Sequence, residues 1–148
     1  MLTAQKLWDG LRRVRTIRYV SQSNTPGWDG KGNGSVTVES PEESVLIFSE
    51  SGVYQPTIGR QTRFNNVFRW TLTETLIHLE HLRFGPDRPV FLFNLEPGID
   101  EQWVSVKPHL CKQDCYSAEL RLLESGVRIC WMVTGPKKND RAEYTYEW

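Results

Sequence analysis

From Leu11 onward the chain alternates short runs rich in Val, Ile, Thr, Phe and Tyr with clusters of Gly, Pro, Asn and Asp. The clusters recur at the roughly 8 to 12 residue spacing of an all-β domain. The rhythm predicts strands over 11–20, 32–39, 44–50, 62–73, 76–84, 89–95, 101–107, 115–124, 126–134 and 141–148. Ahead of them Thr3 reads as an N-cap and Ala4 to Asp9 as one or two helical turns carrying Leu7 and Trp8. Gly10 reads as the helix stop, and Leu2 with Leu7 as a hydrophobic staple. No second helical pattern interrupts the strands, and the connections are too short for parallel crossovers, so neighbours should pair antiparallel. A meander that long closes or folds on itself to hide its edges. The expected fold is therefore an all-β antiparallel barrel of about ten strands, capped by one short N-terminal helix, in a single domain spanning 1–148.

Two hairpins can be registered from the pattern alone. A two-residue turn at Ser125-Gly126 places Leu122 opposite Ile129, Leu120 opposite Trp131, Ala118 opposite Val133 and Tyr116 opposite Gly135, with Cys115 and Cys130 on the other face. A loop at Glu74-Thr75 sets Phe68 opposite His81, Trp70 opposite Leu79 and Leu72 opposite Ile77. His81 then lies on the aromatic face, while Arg69, His78 and Glu80 lie on the other. Pro89 to Leu95 is nearly continuously apolar, which predicts cover on both faces, with the helix as the cover. Gly27 to Gly34 carries four glycines and is expected to be a mobile loop.

Composition narrows the classes. A hydrophobic content of 39% with 24% charged residues describes a globular chain able to bury a core. Eighteen Lys+Arg balance eighteen Asp+Glu, so no overall field draws in nucleic acid or an anionic membrane. No apolar run approaches the roughly 18 residues of a membrane span. Three cysteines cannot all pair within one chain, and no secretory h-region follows Met1. Reduced thiols in the cytoplasm are the expectation.

Several words resemble a bacterial-type family of uncharacterised small proteins with a calycin-like, lipocalin-related barrel. They are Arg15-Thr-Ile17, Phe48-Ser-Glu50-Ser-Gly52, Phe68-Arg69-Trp70, His109-x-Cys111-x-x-Asp114-x-Tyr116 and Trp131-x-Val133-x-Gly135-Pro136-Lys137-Lys138. The resemblance implies a closed or nearly closed antiparallel barrel with a short N-terminal helix and no established activity. The sequence departs from the family pattern at Gly10-Leu11-Arg12, where a Gly-x-Trp opening is typical, and at Phe93-Asn94, where Phe-His is expected.

The candidate ligand-binding residues are His109, Asp114, Tyr116, Trp131, Lys137, Arg69, His78 and His81. His109, Cys111 and Cys115 have metal-friendly chemistry, but their spacing matches no CxxC pair and no fourth ligand lies nearby, so neither a metal nor another cofactor is expected. A His109–cysteine nucleophile pair would need an oxyanion hole that nothing in the sequence marks. Asp114 and Tyr116 either orient a ligand at the barrel mouth or serve as a turn former and a packing ring. Lys137 either meets an anionic ligand group or sits in a solvated turn. Arg69, His78 and His81, with Arg63 and Glu80, either anchor a ligand from the barrel wall or neutralise one another outside it.

The functional expectation is a barrel that holds a small, partly apolar molecule in its interior, anchored by Arg, His and Tyr side chains. Two alternatives compete. One is a hydrolase- or isomerase-type enzyme in which His109 or His81 works with Asp114 or Glu80. The other is a homodimeric module that pairs through an exposed strand or a Tyr144-Tyr146-Trp148 face.

Overall fold

The computed structural model describes residues 4–23, 29–100, 102–106, 109–111, 114–137 and 139–148, of which 109–111 are described by backbone alone. A helix, α1 (Ala4–Arg12), precedes eleven strands. These are β1 (Thr16–Gln22), β2 (Gly30–Glu42), β3 (Val45–Pro56), β4 (Thr62–Leu72), β5 (Ile77–His81), β6 (Val90–Pro97), β7 (Gln102–Ser105), β8 (His109–Cys111), β9 (Asp114–Leu122), β10 (Gly126–Thr134) and β11 (Asn139–Glu147). Each pairs antiparallel with its neighbours, and β9 pairs with β10, so the sheet closes. The fold is thus the expected all-β barrel with one short N-terminal helix. Ten strands make the ring. The three-residue β8 runs on along the same edge of β9 that β7 occupies, with Val104 opposite Glu119 and His109 opposite Tyr116.

Alternation decides which side chains enter the core. Ile17, Val36, Leu46, Phe48, Trp70, Ile77, Leu79, Leu95, Trp103, Leu120 and Val127 are buried from successive strands. Helix α1 closes the end of the barrel where β1 begins and β11 finishes. It packs Leu7, Trp8 and Leu11, each at most 1% exposed, onto the core. The Trp8 indole donates to the Glu43 carbonyl at 3.0 Å, and Arg12 Nη2 donates to the same oxygen at 2.7 Å, fastening the helix to the β2–β3 turn. Those anchors carry the helix through Gly10 to Arg12, where the sequence predicted a stop at Gly10 and a strand from Leu11. Leu2 and Thr3, the predicted staple and cap, lie outside the described residues.

The β4–β5 register is the one the sequence predicts, from Phe68 opposite His81 to Leu72 opposite Ile77. The β9–β10 register differs by two residues: Leu122 faces Val127, Leu120 faces Ile129, Ala118 faces Trp131 and Tyr116 faces Val133. The loop is Glu124-Ser125, closed by Leu123 N donating to Gly126 O at 2.7 Å. Gly126 belongs to the strand because β11 crosses it closely. A Cβ there would lie 2.1 Å from the Tyr146 carbonyl oxygen. A slip of two preserves the face, so the apolar set predicted for this hairpin still points inward together.

Residues Gly30 to Gly34 form β2 where a mobile loop was expected, while 27 and 28 lie outside the described residues. Here glycine makes room for aromatic rings. A Cβ on Gly32 would lie 2.2 Å from the Tyr19 ring. Strand β6 is also covered differently from the prediction. Phe93 and Leu95 enter the core, but Val90 and Phe91 face solvent at 37% and 40% exposure. The helix packs at the opposite end of the barrel and cannot cover them.

Candidate functional site

With α1 closing one end, the other end is open. There β1, β3 and β11 expose an inward row that begins with Ser21, Tyr54 and Asp140 and continues with Tyr19 and Tyr144. These residues, with Thr62, Phe64, Trp131 and Val133, line a cavity of about 500 Å³. That lies within the roughly 300–1,000 Å³ range of small-molecule sites. Its wall is an aromatic cluster. Tyr19 stacks on Tyr54 with centroids 5.8 Å apart and meets Phe64 edge-on at 5.4 Å and Tyr144 at 5.1 Å. The rim is polar: the Ser21 hydroxyl is 3.2 Å from the Tyr54 hydroxyl, Ser23 Oγ donates to Asp140 Oδ1, and Arg141 joins the lining.

Trp131 and Tyr144, 5.9 Å apart, separate this cavity from a second void of about 20 Å³ deeper in the barrel. Phe68, Trp70, Phe93 and Tyr146 are among the residues around that inner void. The space is about that of a single water molecule.

Beside these spaces sits Glu50, which is 2% exposed. The alternation Leu46-x-Phe48-x-Glu50 on β3 turns its side chain inward, between Val36 and Asn66 on the neighbouring strands. Its Oε2 accepts the Tyr146 hydroxyl, and its Oε1 has no protein partner. Burial pushes the Glu50 carboxyl up to about 8, against a smaller lowering by the Tyr146 hydrogen bond. The tyrosines respond in the same sense. Tyr19 is pushed up to about 12 by burial, then by Tyr54 and Glu50. Tyr144 and Tyr146 lie well above the ordinary phenol value, through burial first and the Glu50 charge next. The Trp131 indole lies close enough to Tyr144 to offset a little of that rise. Its N–H still lacks a partner at hydrogen-bonding geometry, as do those of Trp70 and Trp103.

The residues singled out in the sequence fall into three groups. Trp131 lines both internal spaces, and His81 stacks on Phe68 at 4.7 Å with its pKa lowered by burial and then by Arg83. Tyr116 and Asp114 are half-buried at the start of β9, at the open end. His109 belongs by its backbone to β8, opposite Tyr116, and its side chain lies outside the described residues. Lys137 is exposed in the turn after β10.

Arg69 and His78 stand on the outer wall. Arg69 Nε donates to Glu80 Oε1 at 2.8 Å, and His78 Nε2 lies 3.6 Å from Glu80 Oε2. Asn94 Oδ1 accepts from His78 Nδ1 at 2.7 Å, so Asn94 on β6 fixes a histidine on the adjacent β5. The possible His81–Glu80 pair is not formed, because the two residues face opposite sides of β5. Among the described residues no three His, Cys, Asp or Glu side chains gather as a metal site. Tyr144 and Tyr146 turn inward, so they present no outward aromatic face to a second chain.

Sequence reasoning passed over Glu50, Tyr19, Tyr54 and Phe64 as site residues. The signal for Glu50 was present: a carboxyl in step with Leu46 and Phe48 must enter the core. Over residues 11–148 the chain matches the sequence profile of DUF6314, a family of unknown function. No curated protein matches it.

Proposed function

The chain belongs to the DUF6314 family, and for this member we propose a calycin-like role, the binding of a small, partly apolar molecule in the open end of the barrel. The observation that carries the reading is the cavity of about 500 Å³, walled by Tyr19, Tyr54, Phe64, Trp131 and Tyr144. Aromatic rings with hydroxyl handles suit a ligand that is apolar on its faces and polar at a few points. The anchors in this reading are Ser21, Tyr54 and Arg141 at the rim and the Tyr144 hydroxyl below. Of the residues chosen from sequence, Trp131 is the wall, while His81 stacks on Phe68 outside the cavity lining. Unpaired Cys115 and Cys130 agree with a reducing, cytoplasm-like compartment.

Native mass spectrometry of protein purified from its own host tests the reading. A co-purifying small molecule that is lost from a Trp131→Ala variant supports it. Ligand-free protein that also fails to take up any member of a small aromatic library overturns it. An enzyme using a histidine–carboxylate pair is less well supported, because the pair that forms among the described residues, His78 with Glu80, lies outside the barrel.

A further inference from the structure

The deepest polar feature of the barrel is not explained by small-molecule binding in general. Among the described residues Glu50 is the one carboxyl in the buried set, and half of its acceptor capacity is unused. An isolated buried carboxyl is costly in either protonation state unless its oxygens are partnered. Tyr146 partners only Oε2. No lysine, arginine or histidine forms an ion pair with Glu50 among the described residues, and no cation contributes to its shift. The groups that face it are the hydroxyls of Tyr144 and Tyr146 from β11 and of Tyr19 from β1, with Asn66 and Val36 opposite on β4 and β2.

The surroundings select a charge sign. Tyr19 and Tyr144, which feel the Glu50 charge, also line the outer cavity, and Tyr146 borders the inner void. Glu50 therefore sits against two tyrosines of the outer cavity's wall and one that borders the inner void, although it lines neither space itself. Ring faces carry negative potential and attract cations, most strongly when water is excluded. A carboxyl with a free acceptor completes such a site.

Resting on the reading that the cavity binds a small molecule, we propose that its ligand is an organic amine carried as the cation. Its ammonium donates to Glu50 Oε1, and its carbon skeleton lies against Tyr19, Phe64, Trp131 and Tyr144. Reaching Oε1 requires side chains of the cavity wall to move aside, because that oxygen has no solvent contact.

The proton balance gives the site a signature. Near neutral pH the empty site holds Glu50 protonated, since its pKa lies at about 8. A bound ammonium stabilises the carboxylate, so the Glu50 proton leaves to solvent as the cation arrives. Affinity for an amine that keeps its charge then rises about tenfold per pH unit below about pH 8 and levels off above it. The tyrosines facing Glu50 are held above their ordinary values and do not titrate in that window.

The test uses 2-phenylethylamine and its uncharged counterpart 2-phenylethanol, titrated into the full chain by calorimetry at several pH values between about 6 and 9. An alkylammonium of this kind stays charged over most of that range. The expected result is amine binding that strengthens with pH, with proton release, and at least about tenfold preference over the alcohol near pH 8. Glu50→Gln, checked for cooperative unfolding, should lose the preference and the pH dependence while keeping the alcohol. Tyr146→Phe, which retains the carboxyl, should keep the preference with the profile moved to higher pH. Equal binding of amine and alcohol at every pH, or an amine preference that survives Glu50→Gln, overturns the amine inference and leaves the cavity reading standing. Uptake of neither compound overturns both.

Discussion

Tyr146 donates its hydroxyl to Glu50 Oε2 at 2.5 Å, tying β11 to β3 through the barrel interior although those strands are not neighbours in the sheet. Removing the hydroxyl with Tyr146→Phe strips the buried carboxyl of its hydrogen-bond donor. Leaving a buried polar group unpaired costs about 1–3 kcal/mol. The loss should grow toward alkaline pH, where the carboxylate form is the one left without its donor. The Glu50 pKa should also move further upward, because the Tyr146 bond is what lowers it. Urea unfolding at several pH values and carboxyl-resolved NMR titration check the two halves.

The pH dependence of folding follows from the same carboxyl. Glu50 has a folded pKa of about 8, above the ordinary carboxyl value of 4.5, so between those values the folded state holds more protons than the unfolded state. Stability attributable to Glu50 is therefore greatest below the lower value and declines as pH rises toward the upper one. Glu50→Gln keeps the shape and an acceptor for Tyr146 but cannot ionise. It should match the parent protein in mild acid and exceed it near pH 8, by roughly a few kcal/mol. Equal pH slopes for parent and variant in urea unfolding would sink this account.

Much of the frame was legible because alternation is a local property. The inward placement of Phe68, Trp70 and His81 followed from pairing β4 with β5, since a period of two leaves one register that sorts both strands. The Glu124-Ser125 turn was read one residue late because Gly126 looked like turn chemistry. The glycine answers to β11, a strand distant in sequence until Tyr146 crosses it. Likewise Gly30, Gly32 and Gly34 read as a loop because what fills the space of their missing side chains, the Tyr54 and Tyr19 rings and the Ser51 backbone, comes from other strands. The site was less legible for the same reason. Its wall joins β1, β3, β4, β10 and β11, and only barrel closure brings Tyr19, Tyr54, Phe64, Trp131 and Tyr144 together. His78 and Arg69 looked like site chemistry in isolation, and the register alone assigns them to the outer wall.

Gly32→Ala tests that account of β2. Its Cβ would lie 2.2 Å from the Tyr19 ring, which is itself held by Tyr54, Phe64 and Tyr144. Overpacking of this kind typically costs about 1–3 kcal/mol. The ring should be driven into the cavity, so ligand uptake should fall along with stability. Combining Gly32→Ala with Tyr19→Leu should cost less than the sum of the single changes, because the shorter side chain removes the clash. Thermal unfolding of the four proteins in the cycle supplies the comparison.

The outer wall offers a contrast with the interior. Arg69 and Glu80 form a 2.8 Å ion pair with side chains 26% and 12% exposed, and the Arg69 hydrogen bond is the largest influence holding the Glu80 carboxyl below its ordinary value. Glu80 thus contributes stability that is present above the ordinary carboxylate range and is lost as pH falls through the depressed value. Water still reaches this pair, so the coupling in a double-mutant cycle of Arg69→Ala and Glu80→Ala should be about 1 kcal/mol or less. In Arg69→Ala the Glu80 pKa should rise, with His78 left as its neighbour at 3.6 Å. Neither substitution should alter the pH profile of amine binding, since both side chains face away from Glu50. A changed profile in Arg69→Ala would mean that the outer and inner carboxyls are coupled through β4, contrary to the separation the barrel wall imposes.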